Sequence, residues 1–258
     1  MEFPVSVRTK LDRAQEHVNQ LLGEVDAFAD NNSYVFVPDH NADLTEHYLH
    51  LRLRDPFPGE RWGAILGDAA HNLRSALDHL VYAVAIHESG REQPPEHSRL
   101  MFPVLDPPKP LPIGKVRTLS GPVQAAIQTA QPDPTRLVDS PLWTLDQLDI
   151  ADKHRVIHVA LAHGDYSSFS IKPSIPCNFV PKWNARPLNG KAPLLTLTFD
   201  RPVPEVEVGS VGSALIGIDR IDPNDPKSII FWAVGDLMAF LRAGVDAAIA
   251  SVLAATGP

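Results

Sequence analysis

Cysteine is nearly missing from this 258-residue chain: Cys177 is the only one, so neither an intramolecular disulfide nor a cysteine-based zinc site can form. A lone thiol of this kind is more often structural than reactive. Apolar runs are short. None approaches the ~18–20 residues of a membrane span, and the amino terminus lacks the basic-then-apolar order of a signal peptide. Basic charge is in deficit, 23 Lys and Arg against 31 Asp and Glu, which argues against broad nonspecific DNA binding. There is no G-x-S-x-G elbow, no glycine-rich phosphate loop and no HExxH metal motif. These absences point to a cytoplasmic protein without a membrane partner, and no cofactor is expected.

Proline is plentiful, 25 residues in all, but it is absent from residues 5–37, 59–93, 142–172 and 227–257. Those are the windows in which a helix can run unbroken. Eleven prolines crowd into residues 94–141. That stretch reads as an extended surface connector, interrupted by a short helix near Val123–Thr129.

Helical periodicity fills the windows. Val7, Leu11, Ala14, Val18, Leu21, Val25 and Phe28 recur at steps of three and four, predicting a helix over about 6–30. Trp62, Leu66, Ala69, Leu73, Ala76, Leu80 and Val84 predict a second over about 60–88. Ser140 as cap and Pro141 in the first turn start a third, over about 140–158. Val234, Leu237, Leu241, Val245, Ala248 and Val252 mark a last one over about 230–254. Tyr34–Val37 and Tyr48–Leu53 alternate as a strand pair, with Leu49, Leu51 and Leu53 on one face. Residues 165–221 break into short strand-like segments. The expectation is an α+β chain in a single domain, 1–258: three to four long helices in a bundle, with a small β-rich insertion before the C-terminal helix.

The polar half of the second helix is unusual. It carries Asp68, His71, Asn72, Arg74, Ser75, Asp78, His79 and Tyr82, and between Trp62 and His87 there is neither Lys nor Glu. An ordinary solvated face is rich in both. Short polar groups and imidazoles make directed hydrogen bonds instead, so this half reads as a contact face. Arg74 and Asp78 are also spaced as a plain i,i+4 ion pair.

The third helix carries carboxylates on the wrong side. Its apolar face is Leu142, Leu145, Leu148, Val156 and Val159, and Asp149 and Asp152 fall inside it. A carboxylate facing a core needs a partner. The second helix offers His71, Arg74 and His79; the local sequence offers Lys153, His154 and Arg155. Asp149 and Asp152 are therefore expected to meet the polar face of the second helix. The contact allows a buried structural network, an anion-binding or catalytic site with Arg74, His79 and His154, or a metal site with Asp149, Asp152 and His79. In the structural case, removing Asp152 is expected to destabilise the fold by several kcal/mol, on the order of a broken buried ion pair.

The run His71-Asn72-Leu73-Arg74-Ser75-Ala76-Leu77-Asp78-His79-Leu80 resembles the helix signature of a group of uncharacterised bacterial proteins. In them a second element, here Asp152-Lys153-His154-Arg155, follows a proline-containing connector. Arg74-x4-His79 is also similar to the R-x4-6-H motif of HEPN-domain proteins, helical modules that include metal-independent endoribonucleases. That resemblance implies proton transfer at His79, phosphate stabilisation at Arg74, and RNA or a nucleotide as ligand at a homodimer interface. Asn72, which lies with Asp68, Ser75 and His79 on one side of that face, is a third catalytic candidate, with His71, Asp78, Asp149, Asp152 and His154 supporting the site. A spacing of five separates Arg74 and His79 by about 140° on a regular helix. They need a partner protomer, a distortion or long side-chain reach to converge. The alternatives are a non-catalytic structural or interaction module, and a metal-dependent hydrolase using Asp149, Asp152 and His79.

Overall fold

The computed structural model describes residues 1–31, 34–154, 157, 159–163, 170–183, 192–209, 214–222 and 225–257. The chain is α+β, with helices α1 Val5–Asp30, α2 Gly59–Ser89, α3 Gly121–Thr129, α4 Pro141–His154 and α5 Val234–Ala255. The strands are β1 Tyr34–His40, β2 Glu46–Leu53, β3 Val159–His163, β4 Ser170–Pro173, β5 Phe179–Trp183, β6 Leu195–Phe199, β7 Val206–Gly209, β8 Ala214–Asp222 and β9 Asp225–Ala233. The chain divides into two compact units. One comprises Met1–Leu21, Glu60–Ile157 and Gly235–Pro258; the other comprises Leu22–Gly59 and His158–Val234.

The helical unit owes its interior to the apolar stripes. Val7, Leu11, Ala14 and Leu21 are buried on α1, and every member of the expected α2 stripe from Trp62 to Val84 is buried. The same is true of the α5 stripe from Val234 to Val252. Each fully buried large aliphatic side chain contributes about 1.5–3 kcal/mol of transfer free energy. Burial on α2 also extends beyond its stripe, to Ala70, Arg74, Leu77 and Val81. The polar half expected for that helix is therefore narrowed to an open strip.

The start of α4 is set by Ser140, whose hydroxyl accepts the Trp143 N–H at 3.4 Å. That hydroxyl takes up one of the free N–H groups of the first turn. A β-carbon on Gly244 of α5 would collide with the ring of Pro141, so glycine is what admits this close approach.

Several expected boundaries move. The third long helix ends at His154 rather than near 158, and Val159, expected on its apolar face, lies in β3. Val156 lies outside the described residues. The last helix starts at Val234 rather than near 230, because residues 225–233 form β9. The proline-rich connector is not merely draped on the surface, since Phe102, Val116 and Leu119 are buried. Among the described residues, α5 is long and apolar enough to cross a membrane, contrary to the expectation that no segment is; one face of it forms part of the helical core.

Among the described residues the β-rich unit holds three antiparallel sheets. The largest has the order β1-β2-β6-β5; the others are β3-β8-β9 and β4-β7. The strands thus extend beyond 165–221, and the early hairpin shares a sheet with late strands. Leu49 of β2 stands opposite Leu195 of β6. Leu49, Leu194, Leu195, Leu197, Phe199 and Val203 form the core of this unit. Leu49 and Leu51 are buried as the alternation predicts, whereas Leu53 is exposed at the strand end. Asp165 and Tyr166, at the start of the expected strand-like region, lie outside the described residues.

Candidate functional site

α2 divides its polar groups among three surroundings, all within the helical unit. The most enclosed belongs to Arg74, whose side chain is 9% exposed. Its Nη1 donates to Asp78 Oδ1 at 2.8 Å, its Nε to Asp146 Oδ1 at 3.2 Å and its Nη2 to the Phe102 carbonyl at 2.8 Å. Asp78 Oδ1 also accepts the Phe102 N–H at 2.8 Å. Arg74 and Asp78 thus clamp the connector at Phe102 through its carbonyl and its N–H, and Asp146 ties the same guanidinium to α4.

The charges of this cluster respond differently to enclosure. Burial works against the Arg74 charge, but Asp78 and Asp146 more than offset it, so its pKa lies above the usual arginine value. At Asp146 burial is the largest effect and raises the carboxyl; Arg74 pulls it back, while Asp149 and Asp106 push it further up. The pair is asymmetric, because a carboxylate losing water is penalised even beside its cation.

A second cluster centres on Asp149, which is buried on the α4 side that faces α2. His71 Nδ1 lies 2.8 Å from Asp149 Oδ1, and Lys153 Nζ donates to Asp149 Oδ2 at 2.6 Å. The imidazole is far more open than its partner: the His71 side chain is 46% exposed against 5% for Asp149. An ionised carboxylate only accepts, so the proton on His71 sits on Nδ1 and leaves Nε2 as the acceptor. The Ser75 hydroxyl lies 3.4 Å from that Nε2.

A third group faces α1. Lys10 Nζ donates to Asn72 Oδ1 at 3.4 Å, and Asn72 Nδ2 donates to the Asp68 carbonyl at 2.8 Å. His79 is half-buried. Burial, and then Lys10, lower its imidazole below the ordinary 6.5, with Asp78 opposing.

Asp152 lies against Gly67 of α2, where a β-carbon would run into its carboxylate. Burial raises its pKa, followed by Asp68 and Asp149; His71 and Lys153 pull the other way.

The expected meeting of α4 carboxylates with α2 is therefore present, through Asp149 on His71 and Asp152 on Gly67. Arg74 and His79 instead have different surroundings: Arg74 turns to α4 and the connector, and His79 feels Lys10. His154 ends α4, and its side chain, like Arg155, lies outside the described residues. Among the described residues no group of three His, Cys, Asp or Glu converges on a metal position, so Asp149, Asp152 and His79 do not form a ligand set.

Asp146, Lys10 and Phe102 were not expected at the site. Asp146 had a signal, since it precedes Asp149 by three residues and so shares its helix face. Lys10 and the Phe102 peptide had none, because both depend on tertiary packing. No family model matches the chain, and no curated protein and no solved structure matches it either.

Proposed function

We propose that the protein is a metal-independent proton-transfer enzyme whose working group is the His71–Asp149 dyad, with Arg74 as part of the frame that holds it. The observation that carries this reading is the contrast in exposure within one hydrogen bond. An open imidazole is held at Nδ1, 2.8 Å from a carboxylate that is closed to solvent. Such a carboxylate fixes the tautomer, orients the ring and steadies the imidazolium formed when Nε2 takes a proton. The long helices α1, α2, α4 and α5 would then be a bundle with α2 as its central member.

The reading keeps the reaction class suggested by the HEPN resemblance and changes the residue roles. Arg74 has its Nε, Nη1 and Nη2 committed inside the chain, so it acts through structure; His71 takes the proton-transfer role in place of His79. RNA is then one candidate substrate among esters and phosphodiesters. The test is turnover by the purified full chain of 4-nitrophenyl acetate, bis-4-nitrophenyl phosphate and an RNA oligomer, with a chelator present. Hydrolysis of one of them should fall roughly 100-fold or more in His71→Gln. Equal rates in the parent and His71→Gln would overturn the reading.

A second reading is favoured by the Lys153 bond to Asp149. With Lys153 on one oxygen and His71 on the other, the carboxylate is neutralised as in a plain helix–helix tie, and the chain would be a non-catalytic interaction module. It predicts no turnover and a stability loss in Asp149→Ala.

A further inference from the structure

We propose that Ser75 is a nucleophile, forming with His71 and Asp149 a Ser–His–Asp relay that cleaves activated acyl esters through a covalent intermediate. The inference rests on the His71–Asp149 reading and goes beyond it by naming the attacking atom and the substrate class.

The geometry is a chain of two contacts. Asp149 Oδ1 lies 2.8 Å from His71 Nδ1, and His71 Nε2 lies 3.4 Å from Ser75 Oγ. The second contact is long, as serine–histidine contacts often are before substrate binds. Asp149 is closed to solvent, His71 is open and Ser75 is partly open, so both reacting groups can be reached from outside.

Three other helical hydroxyls behave differently. Thr9, Ser89 and Thr129 each donate to the carbonyl four residues earlier, the usual habit of a hydroxyl within a helix. Ser75 also has a residue four places earlier, but its hydroxyl meets the ring of that residue, His71, instead of the carbonyl. The serine sits on a helix, without the sharp strand-to-helix turn of a G-x-S-x-G elbow. The i,i+4 spacing does the work of bringing base and nucleophile together.

The reaction balances without a cofactor. Ser75 Oγ attacks the ester carbonyl carbon while its proton passes to His71 Nε2. The bond to the leaving alkoxide breaks, and that alkoxide takes the proton from Nε2. Water then attacks the Ser75 ester, giving one proton to Nε2, and the acid leaves as Ser75 Oγ recovers that proton. Asp149 is a positioning residue throughout.

The test uses a fluorophosphonate on the folded full chain, read by intact mass and peptide mapping. Labelling forms an Oγ–P bond, breaks P–F and releases fluoride. The adduct should map to Ser75 and vanish in Ser75→Ala. Its rate should fall roughly 100-fold or more in His71→Gln. Asp149→Asn should lower the limiting rate of labelling while leaving the half-saturating probe concentration unchanged. If that variant fails to fold, His71→Gln, an exposed position, decides. No adduct on the parent, an adduct that persists in Ser75→Ala, or an unchanged rate in His71→Gln would each overturn the proposal. Hydrolysis that depends on His71 without a Ser75 adduct sinks the covalent step alone. Absence of any such hydrolysis sinks the dyad reading with it.

Discussion

Asp152 occupies the space that a side chain at position 67 would need: a methyl group on Gly67 would run into its carboxylate. Glycine inside a helix is about 1 kcal/mol less favourable than alanine, so this position trades helix propensity for close approach of α4 to α2. Gly67→Ala should destabilise the parent, because Asp152 must leave its place. In an Asp152→Ala background the same change should become neutral or stabilising, by up to about 1 kcal/mol. A double-mutant cycle by urea denaturation reads the reversal of sign; additive effects would refute it.

Asp152 carries a pH signature of its own. Its folded carboxyl is raised, first by burial and then by Asp68 and Asp149, so the native state takes up the proton more readily than the unfolded chain. The ionised form is therefore penalised at neutral pH, and the penalty is relieved as pH falls through the folded value. Asp152→Asn should be at least as stable as the parent at pH 7, with the advantage closing in acid. Thermal melts of both proteins from pH 7 to pH 3 would show it.

Arg74 is where removal should hurt. Arg74→Ala leaves Asp146 and Asp78 without their cation and frees the Phe102 carbonyl, and a broken buried pair costs about 3–5 kcal/mol. Arg74→Lys should rescue little, because an ammonium on a flexible stem lacks the planar fork that reaches three acceptors. Denaturant midpoints test both. Hydrogen exchange at the Phe102 amide should also accelerate in Asp78→Ala, which loses the acceptor of that N–H.

His79 predicts an acid-side weakness. Its folded pKa lies below 6.5, with Lys10 and Asp78 the charged groups that act on it. The native state then binds the proton less well than the unfolded chain. Stability held above pH 6.5 by the neutral ring is lost as pH falls towards the folded value. His79→Gln should remove that loss, leaving a shallower fall in stability just below pH 6.5. Parallel curves for parent and variant would count against it.

Much of the helical unit was legible because its signals are local and repetitive. The stripes of α2 and α5 are buried as their periodicity requires, and Ser140 caps α4 where its position suggested. Asp149 was legible for a different reason, as a charge on an apolar face that needs a partner. The role of Arg74 was not. An i,i+4 partner at Asp78 makes it look like a surface pair, and only the packing of Phe102 over that pair reveals a clamp. The end of α4 was also hidden, since the apolar pattern runs on through Val159 although the chain has by then entered β3. Apolar positions serve a strand as readily as a helix when the run is short.

Neither compact unit is one continuous piece of chain, and this has a consequence for how the protein is made. The helical unit begins with α1 as far as Leu21, is interrupted, resumes with α2 to α4, is interrupted again and is completed by α5 from Gly235. Leu237, Leu241, Val245 and Val252 are therefore supplied only after the second excursion has been synthesised. Until then the rest of the helical unit lacks the apolar surface of α5, which approaches α4 closely at Gly244 and Pro141. The contacts that close that gap are far apart in sequence, and such contacts slow folding through loop closure. A nascent chain stalled before α5 would present the surface that α5 meets to chaperones and proteases, whereas a full chain would not.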